Sequence, residues 1–296
     1  MSAPGHGRTG DPLVLLHGFA GTWRSWSPIL EELRRHHPVL AVRLAGHYEA
    51  RPLPPDEPLT VSAVVDAAEA DMDAVGVEKA HLVGHSFGGW IAFELAKRGR
   101  ALSVVGISPD GGFDPDSPQL HRLEARLRSA HLGAKLLAPY SRLVMRAPWR
   151  RRLLMMESFA RAERVDPDDA AHLLRAFAWC PRFDELLDAM RGEGPVRDLD
   201  QIDSPVRLIW GTRDRDAPIE VDGPHLLAGL RAPDLVLLPD VGHMAMADDP
   251  GATARAILEF TTGGTPPEPS EVRITRGPGT REFKAGSPHE PASPSP

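Results

Sequence analysis

Ser86 lies in Gly84-His85-Ser86-Phe87-Gly88, between the apolar run Ala80-His81-Leu82-Val83 and a helix-like stretch from Trp90 to Arg98. A serine flanked by glycines at a strand-to-helix turn can be held in strained backbone space with its hydroxyl clear of the sheet. That hydroxyl becomes a useful nucleophile only when a histidine removes its proton and a carboxylate fixes the histidine tautomer. Both residue types follow later, each just past an apolar run. Asp214 comes after Leu208-Ile209-Trp210, and His243 comes after Leu235-Val236-Leu237-Leu238 with Gly242 before it. Asp110, beyond the run Ser103 to Ile107, and Asp216 are the other carboxylates in position to serve. His225 competes with His243 but lacks the preceding strand and glycine. An acyl-transfer intermediate also needs backbone N–H donors for its oxyanion. Phe87, next to the nucleophile, supplies one, and Phe19, in His17-Gly18-Phe19 after the first apolar run, supplies the other.

These residues need a rigid frame. Leu13–Leu16, Val39–Val42, Ala80–Val83, Ser103–Ile107, Val206–Trp210 and Leu235–Leu238 are short apolar runs separated by amphipathic stretches. Such alternation predicts an α/β fold, with a mostly parallel central sheet covered by helices on both faces. Helical patterns run from Trp23 to His37, Thr60 to Val75 with Thr60 as N-cap, near Leu226 to Leu230, and from Pro250 to Phe260. Between Gly112 and Val196 only helical patterns occur, at 120–130, 134–146, 149–164, 167–179 and 183–190. The expected organisation is a core of residues 1–111 and 197–262, a helical cap insertion of 112–196, and a disordered Pro/Gly/Ser-rich tail of 263–296.

Composition narrows the function classes. The 296 residues carry a net charge of −7, which leaves no basic excess for nucleic acid. The single cysteine, Cys180, forbids an intrachain disulfide and fits a reducing, cytoplasmic compartment; it reads as inert packing in the cap. No apolar run approaches a membrane span, and MSAPGHGRTGD has no signal-like apolar region, so no membrane partner is expected. No metal or cofactor is expected either, since no ligand spacing coincides with a strand context. His17 and His85 read as hydrogen-bonded supports. From Leu120 to Met155 the cap holds Arg122, Arg126, Arg128, Lys135, Arg142, Arg146, Arg150, Arg151 and Arg152 against the single acid Glu124. That excess suits either a solvated face or docking of a carrier- or CoA-bound acyl group. Leu127, Leu136, Leu137, Met145, Met155 and Met156 are expected to form the cap core, some of them lining the pocket.

In order along the chain, His17-Gly18-Phe19 with Trp26, the Ser86 turn, Gly211 to Pro218 and Gly242-His243 resemble the α/β-hydrolase fold family. The capped group with carboxylesterases, epoxide hydrolases and haloalkane dehalogenases is the nearest in pattern. The resemblance covers residues 11 to 262 and implies a serine hydrolase that cleaves a carboxylic ester through an acyl-enzyme on Ser86. The triad would be Ser86, Asp214 and His243, with Phe19 and Phe87 as oxyanion donors and a small-molecule acyl substrate. Serine at this position departs from the aspartate nucleophile of epoxide hydrolases and dehalogenases. Thioester or C–C bond hydrolysis, acyl transfer or cyclisation on the same residues, and ligand binding without catalysis, are the alternatives. Two departures stand out: only about a dozen residues precede the first strand, so the hairpin usual at that sheet edge is expected to be trimmed, and Arg43-Leu44-Ala45-Gly46-His47-Tyr48-Glu49 replaces the family's glycine-rich loop. Tyr48 is expected to alter that loop and the pocket wall.

Overall fold

The computed structural model describes residues 10–52 and 58–263. Six strands form one sheet: β1 (Leu13–Leu16), β2 (Val39–Val42), β3 (Ala80–His85), β4 (Ala101–Ile107), β5 (Val206–Gly211) and β6 (Asp234–Leu238). Their spatial order is β2-β1-β3-β4-β5-β6, and every pairing is parallel. A parallel sheet must be covered on both faces, and the strand side chains divide accordingly. Val14, Leu16, Leu82, Val104 and Leu208 join one buried cluster, while Leu13, Leu15, Val83, Val105 and Ile209 join another.

Helices α1 (Ser27–His36), α2 (Val61–Ala74) and α3 (Phe87–Lys97) complete the crossovers of the first half. Thr60 caps α2 by accepting the Ala63 N–H at 3.0 Å, as its sequence position predicts. The insertion then contributes α4 (Pro118–Leu137), α5 (Ser141–Met145), α6 (Pro148–Met155), α7 (Pro167–Ala178) and α8 (Phe183–Glu193). Its two ends meet at a narrow neck, where the Val196 N–H donates to the Gly111 carbonyl at 2.8 Å. Helices α9 (Ile219–Gly229), α10 (Ala245–Asp248) and α11 (Pro250–Thr261) finish the core, and α11 packs beside α1.

Three helices differ from their sequence patterns. The stretch 134–146 divides, because Pro139 lacks an N–H and sits in a three-residue turn between α4 and α5. The stretch 149–164 stops being α-helical at Met155. The pattern near Leu226 is the end of a longer helix that starts at Ile219, after Pro218 in extended conformation. The stretch expected to be disordered lies, beyond Gly263, outside the described residues, as do residues 1–9.

Candidate active site

Strands β1 and β3 are neighbours in space, yet the chain leaves β1 for one edge of the sheet and β3 for the other. Open parallel sheets bind ligands at the carboxyl ends of such a pair, where departing loops separate and leave a crevice. Ser86 caps the carboxyl end of β3 with φ 53° and ψ −124°, a conformation rare for any residue with a Cβ and costing about 1–3 kcal/mol. The flanking glycines make it possible. A Cβ on Gly84 would collide with the Gly88 backbone, and one on Gly88 would collide with the Leu16 carbonyl of β1. The backbone is further held by N–H bonds from Ser86 to Ile107 and from Gly89 to Ser86, at 3.0 and 2.8 Å.

The loops after β5 and β6 bring Asp214 and His243 together. His243 Nδ1 donates to Asp214 Oδ2 at 2.8 Å, which leaves Nε2 as the nitrogen free for a reacting group. Asp214 Oδ1 accepts the N–H groups of Asp216 and Ala217 at 3.0 and 2.9 Å, so both carboxylate oxygens are engaged. Burial alone would push the Asp214 carboxyl up, but the facing His243 and these hydrogen bonds outweigh it and hold it below the usual range. Burial would lower His243, but Asp214, with added pull from Asp216 and Asp110, raises it to about 9.

Asp110, on the loop after β4, also reaches the serine. The Ser86 hydroxyl donates to Asp110 Oδ2 at 3.1 Å, not to His243. Asp216 turns away: its carboxylate bonds Arg126 and the Ser158 hydroxyl. His225 lies elsewhere, bonded to the Val196 carbonyl at 2.7 Å.

The N–H groups of Phe19 and Phe87 donate to no protein acceptor among the described residues; Phe19 lies in the loop after β1 on the cavity wall, and Phe87 opens α3 directly after Ser86. Two buried histidines shape that rim. The Leu44 N–H donates to His17 Nε2 at 3.1 Å, so the proton sits on Nδ1, which donates to the Gly18 carbonyl at 3.0 Å. His85 Nε2 donates to the His243 carbonyl at 3.0 Å, and the two rings lie 4.7 Å apart. Burial pushes both supports down to about 3, so they stay neutral.

Above Ser86 and His243 opens a cavity of about 830 Å³ between core and cap. Leu127, Leu137, Met145, Met155, Phe177 and Met190 contribute an apolar wall. Tyr48 is not part of it: its ring packs against His172 and Trp179, outside the cavity. The loop from Arg43 to Glu49 therefore braces the cap instead of shaping the pocket. Leu136 and Met156, expected in the cap core, are exposed: α4 is apolar on both sides and Leu136 lies on its outer one, while Met156 follows the last residue of α6. Cys180 is buried, its thiol pushed up to about 12 by burial, with Sγ 3.6 Å from the Gly46 carbonyl. Among the described residues no cluster of His, Cys, Asp and Glu is arranged to hold a metal ion.

Residues 13–256 match the model of the Alpha/beta hydrolase family. The chain belongs to this family. It is 32% identical over 206 residues to the epoxide hydrolase EphH of Mycobacterium tuberculosis (strain ATCC 25618 / H37Rv), covering 68% of this chain and 95% of the relative. It is 28% identical to the putative carbamate hydrolase RutD of Pseudomonas savastanoi pv. phaseolicola (strain 1448A / Race 6), over 86% of this chain and 94% of that protein. Among solved structures, a bacterial membrane phospholipase A, described as a virulence factor, superposes with a TM-score of 0.67 at 25% identity. That match covers 87% of this chain and 81% of the other.

Sequence reasoning missed one acidic residue of this alpha/beta hydrolase's site. Asp222, on the first turns of α9, is buried at the cavity wall near Asp110. Burial and the neighbouring Asp110 and Asp214 push it up to about 7, and burial with Asp214 and Asp216 nearby lifts Asp110 to about 6. Gly112 lets the two segments meet, since a Cβ there would collide with the Asp222 backbone carbonyl. The glycine pair Gly111-Gly112, directly after Asp110, was the signal in the sequence for such a close approach.

Proposed function

We propose that this alpha/beta hydrolase cleaves a carboxylic ester of an apolar acyl group through an acyl-enzyme on Ser86. The observation that carries this reading is Ser86 itself. It is a non-glycine residue held at φ 53° beneath a largely apolar cavity, beside a histidine already paired to a buried carboxylate. Strain of that kind persists only where surrounding structure enforces it.

The hydroxyl leaves Asp110 for His243 Nε2, which takes its proton as Oγ attacks the carbonyl carbon. Asp214 remains ionised and stabilises the imidazolium. The N–H groups of Phe19 and Phe87 receive the developing oxyanion, each worth roughly a hundredfold or more in rate. His243 then protonates the departing alcohol, and water activated by the same imidazole releases the acid. The apolar wall from α4, α7 and α8 favours an acyl chain over a charged group.

The chemistry also separates this reading from epoxide opening. Attack of Ser86 on an epoxide carbon would leave an ether, which water does not release. Attack on a carbonyl leaves an ester, which His243-activated water can hydrolyse.

A fluorophosphonate probe together with a panel of p-nitrophenyl esters tests the proposal. The wild type should be labelled and turn over the esters, and Ser86→Ala should do neither. Absence of both labelling and turnover in the wild type would overturn it.

A further inference from the structure

The outer side of the cap carries an apolar face that the fold leaves uncovered. Leu132, Leu136, Tyr140, Leu143, Trp149 and Leu153 are between 61% and 77% exposed. Their spacing makes the first four one stripe. Steps of four, four and three residues follow a single helical face through α4, the Pro139 turn and α5. The opposite side of the same run, His131, Ala134, Ala138, Ser141 and Met145, is buried in the cap. Trp149 and Leu153 repeat the four-residue step on α6, which packs against α5. An exposed patch of large apolar side chains on this scale marks an interaction surface.

Charge narrows the occupant. No acidic residue occurs from 125 to 156. Arg126 pairs with Glu157 and Asp216, Arg128 pairs with Asp184 and Asp188, and Arg151 donates to three backbone carbonyls. Lys135, Arg142, Arg146 and Arg152 are exposed and form no ion pair among the described residues. They border the apolar stripe, and the Arg150 guanidinium lies 5.1 Å from the centre of the Trp149 ring. A second copy of the chain is disfavoured, because a two-fold contact through this face would set these cations against their own counterparts.

Hydrogen-bonding character narrows it again. Between 131 and 156 there is no Asn, Gln or Thr, and the one serine, Ser141, is buried. Protein interfaces of useful size carry many directional hydrogen bonds, and this face offers few besides those of its cations. A bilayer surface asks for none. It supplies apolar depth for leucines, an interfacial zone for Trp and Tyr, and anionic headgroups for Lys and Arg.

We propose that the outer face of α4, α5 and α6 docks this protein peripherally on an anionic lipid surface. No described helix is long and apolar enough to cross a membrane, so the contact is one of lying on the surface. The same helices line the catalytic cavity from their other side with Leu137, Leu154 and Met155. A docked cap would therefore set the cavity next to the acyl region of the bilayer. This goes beyond the ester-hydrolase reading and does not depend on it, since docking needs no turnover.

Flotation of the full chain with phosphatidylcholine vesicles, with and without phosphatidylglycerol, tests it. At low salt the protein should float with the anionic vesicles and at least tenfold less with neutral ones. Leu136→Ser, Trp149→Ser and Leu153→Ser combined should reduce flotation about tenfold. Arg142→Gln, Arg146→Gln and Arg152→Gln combined should remove its salt-sensitive part. Ser86→Ala should float like the wild type. Unchanged melting temperatures and unchanged far-UV circular dichroism report that both combined variants remain folded. No flotation with anionic vesicles at low salt, or equal flotation of the variants, would overturn the proposal. So would a wild-type dimer in light scattering that the serine variant dissolves, since the face would then belong to a second copy.

Discussion

Ser86 and Asp110 are tied together twice: the Asp110 N–H donates to the Ser86 carbonyl at 3.0 Å, and the Ser86 hydroxyl donates to Asp110 Oδ2 at 3.1 Å. The serine thus rests on a carboxylate that is not the partner of His243. Of the three acids whose charge acts on His243, only Asp214 bonds it, while Asp110 holds Ser86 and Asp216 faces Arg126 and Ser158, so their separate duties can be distinguished by substitution.

Asp214→Asn should lower kcat by roughly 10³–10⁴-fold with little change in KM, because it loses the anion that orients and charges His243. Asp216→Asn should cost far less, since that carboxylate faces Arg126 and Ser158. Steady-state kinetics of the two variants on one ester separates them. A larger loss in Asp216→Asn would transfer the acid role.

The pH profile follows from His243. Only its neutral form can accept the Ser86 proton, and its anionic neighbours raise it to about 9. Activity in the free enzyme should therefore climb as pH rises through neutrality toward about 9. Asp110→Asn removes one of those anions, so the rising limb of kcat/KM should move to lower pH. A limb that stays in place would show that Asp110 does not act on His243.

Gly88→Ala should be among the most damaging single changes to stability. The added methyl meets the Leu16 backbone carbonyl, which cannot shift without disturbing β1. A loss of about 3 kcal/mol or more is expected, read by denaturant melts or by failure to accumulate soluble protein.

Leu127→Trp fills part of the cavity wall contributed by α4. The preferred acyl length in an ester series should shorten, while fluorophosphonate labelling of Ser86 persists. An unchanged length preference would place the acyl chain elsewhere in the cavity.

Much of this arrangement is legible in the sequence because strands and glycines announce themselves. The six apolar runs, the paired glycines around Ser86 and Gly242 before His243 locate strand ends, and strand ends are where an open parallel sheet displays its residues. Asp222 was not legible. It belongs to a helix, and its position at the wall depends on how α9 meets the loop at Gly112. The two sides of the cap were equally opaque. Leu136 and Leu137 are adjacent in sequence, yet one faces solvent and the other the cavity. Periodicity names an apolar face, but when a helix has two, only the packing decides which one is inside.

The neck between Gly111 and Val196 gives the insertion a further meaning. Ser86, Asp214, His243, Phe19 and Phe87 all lie outside residues 112–196, and the segment enters and leaves the core one hydrogen bond apart. It is thus a cassette. Selection can redraw the cap's share of the cavity wall without touching a single group proposed to break the substrate's bond.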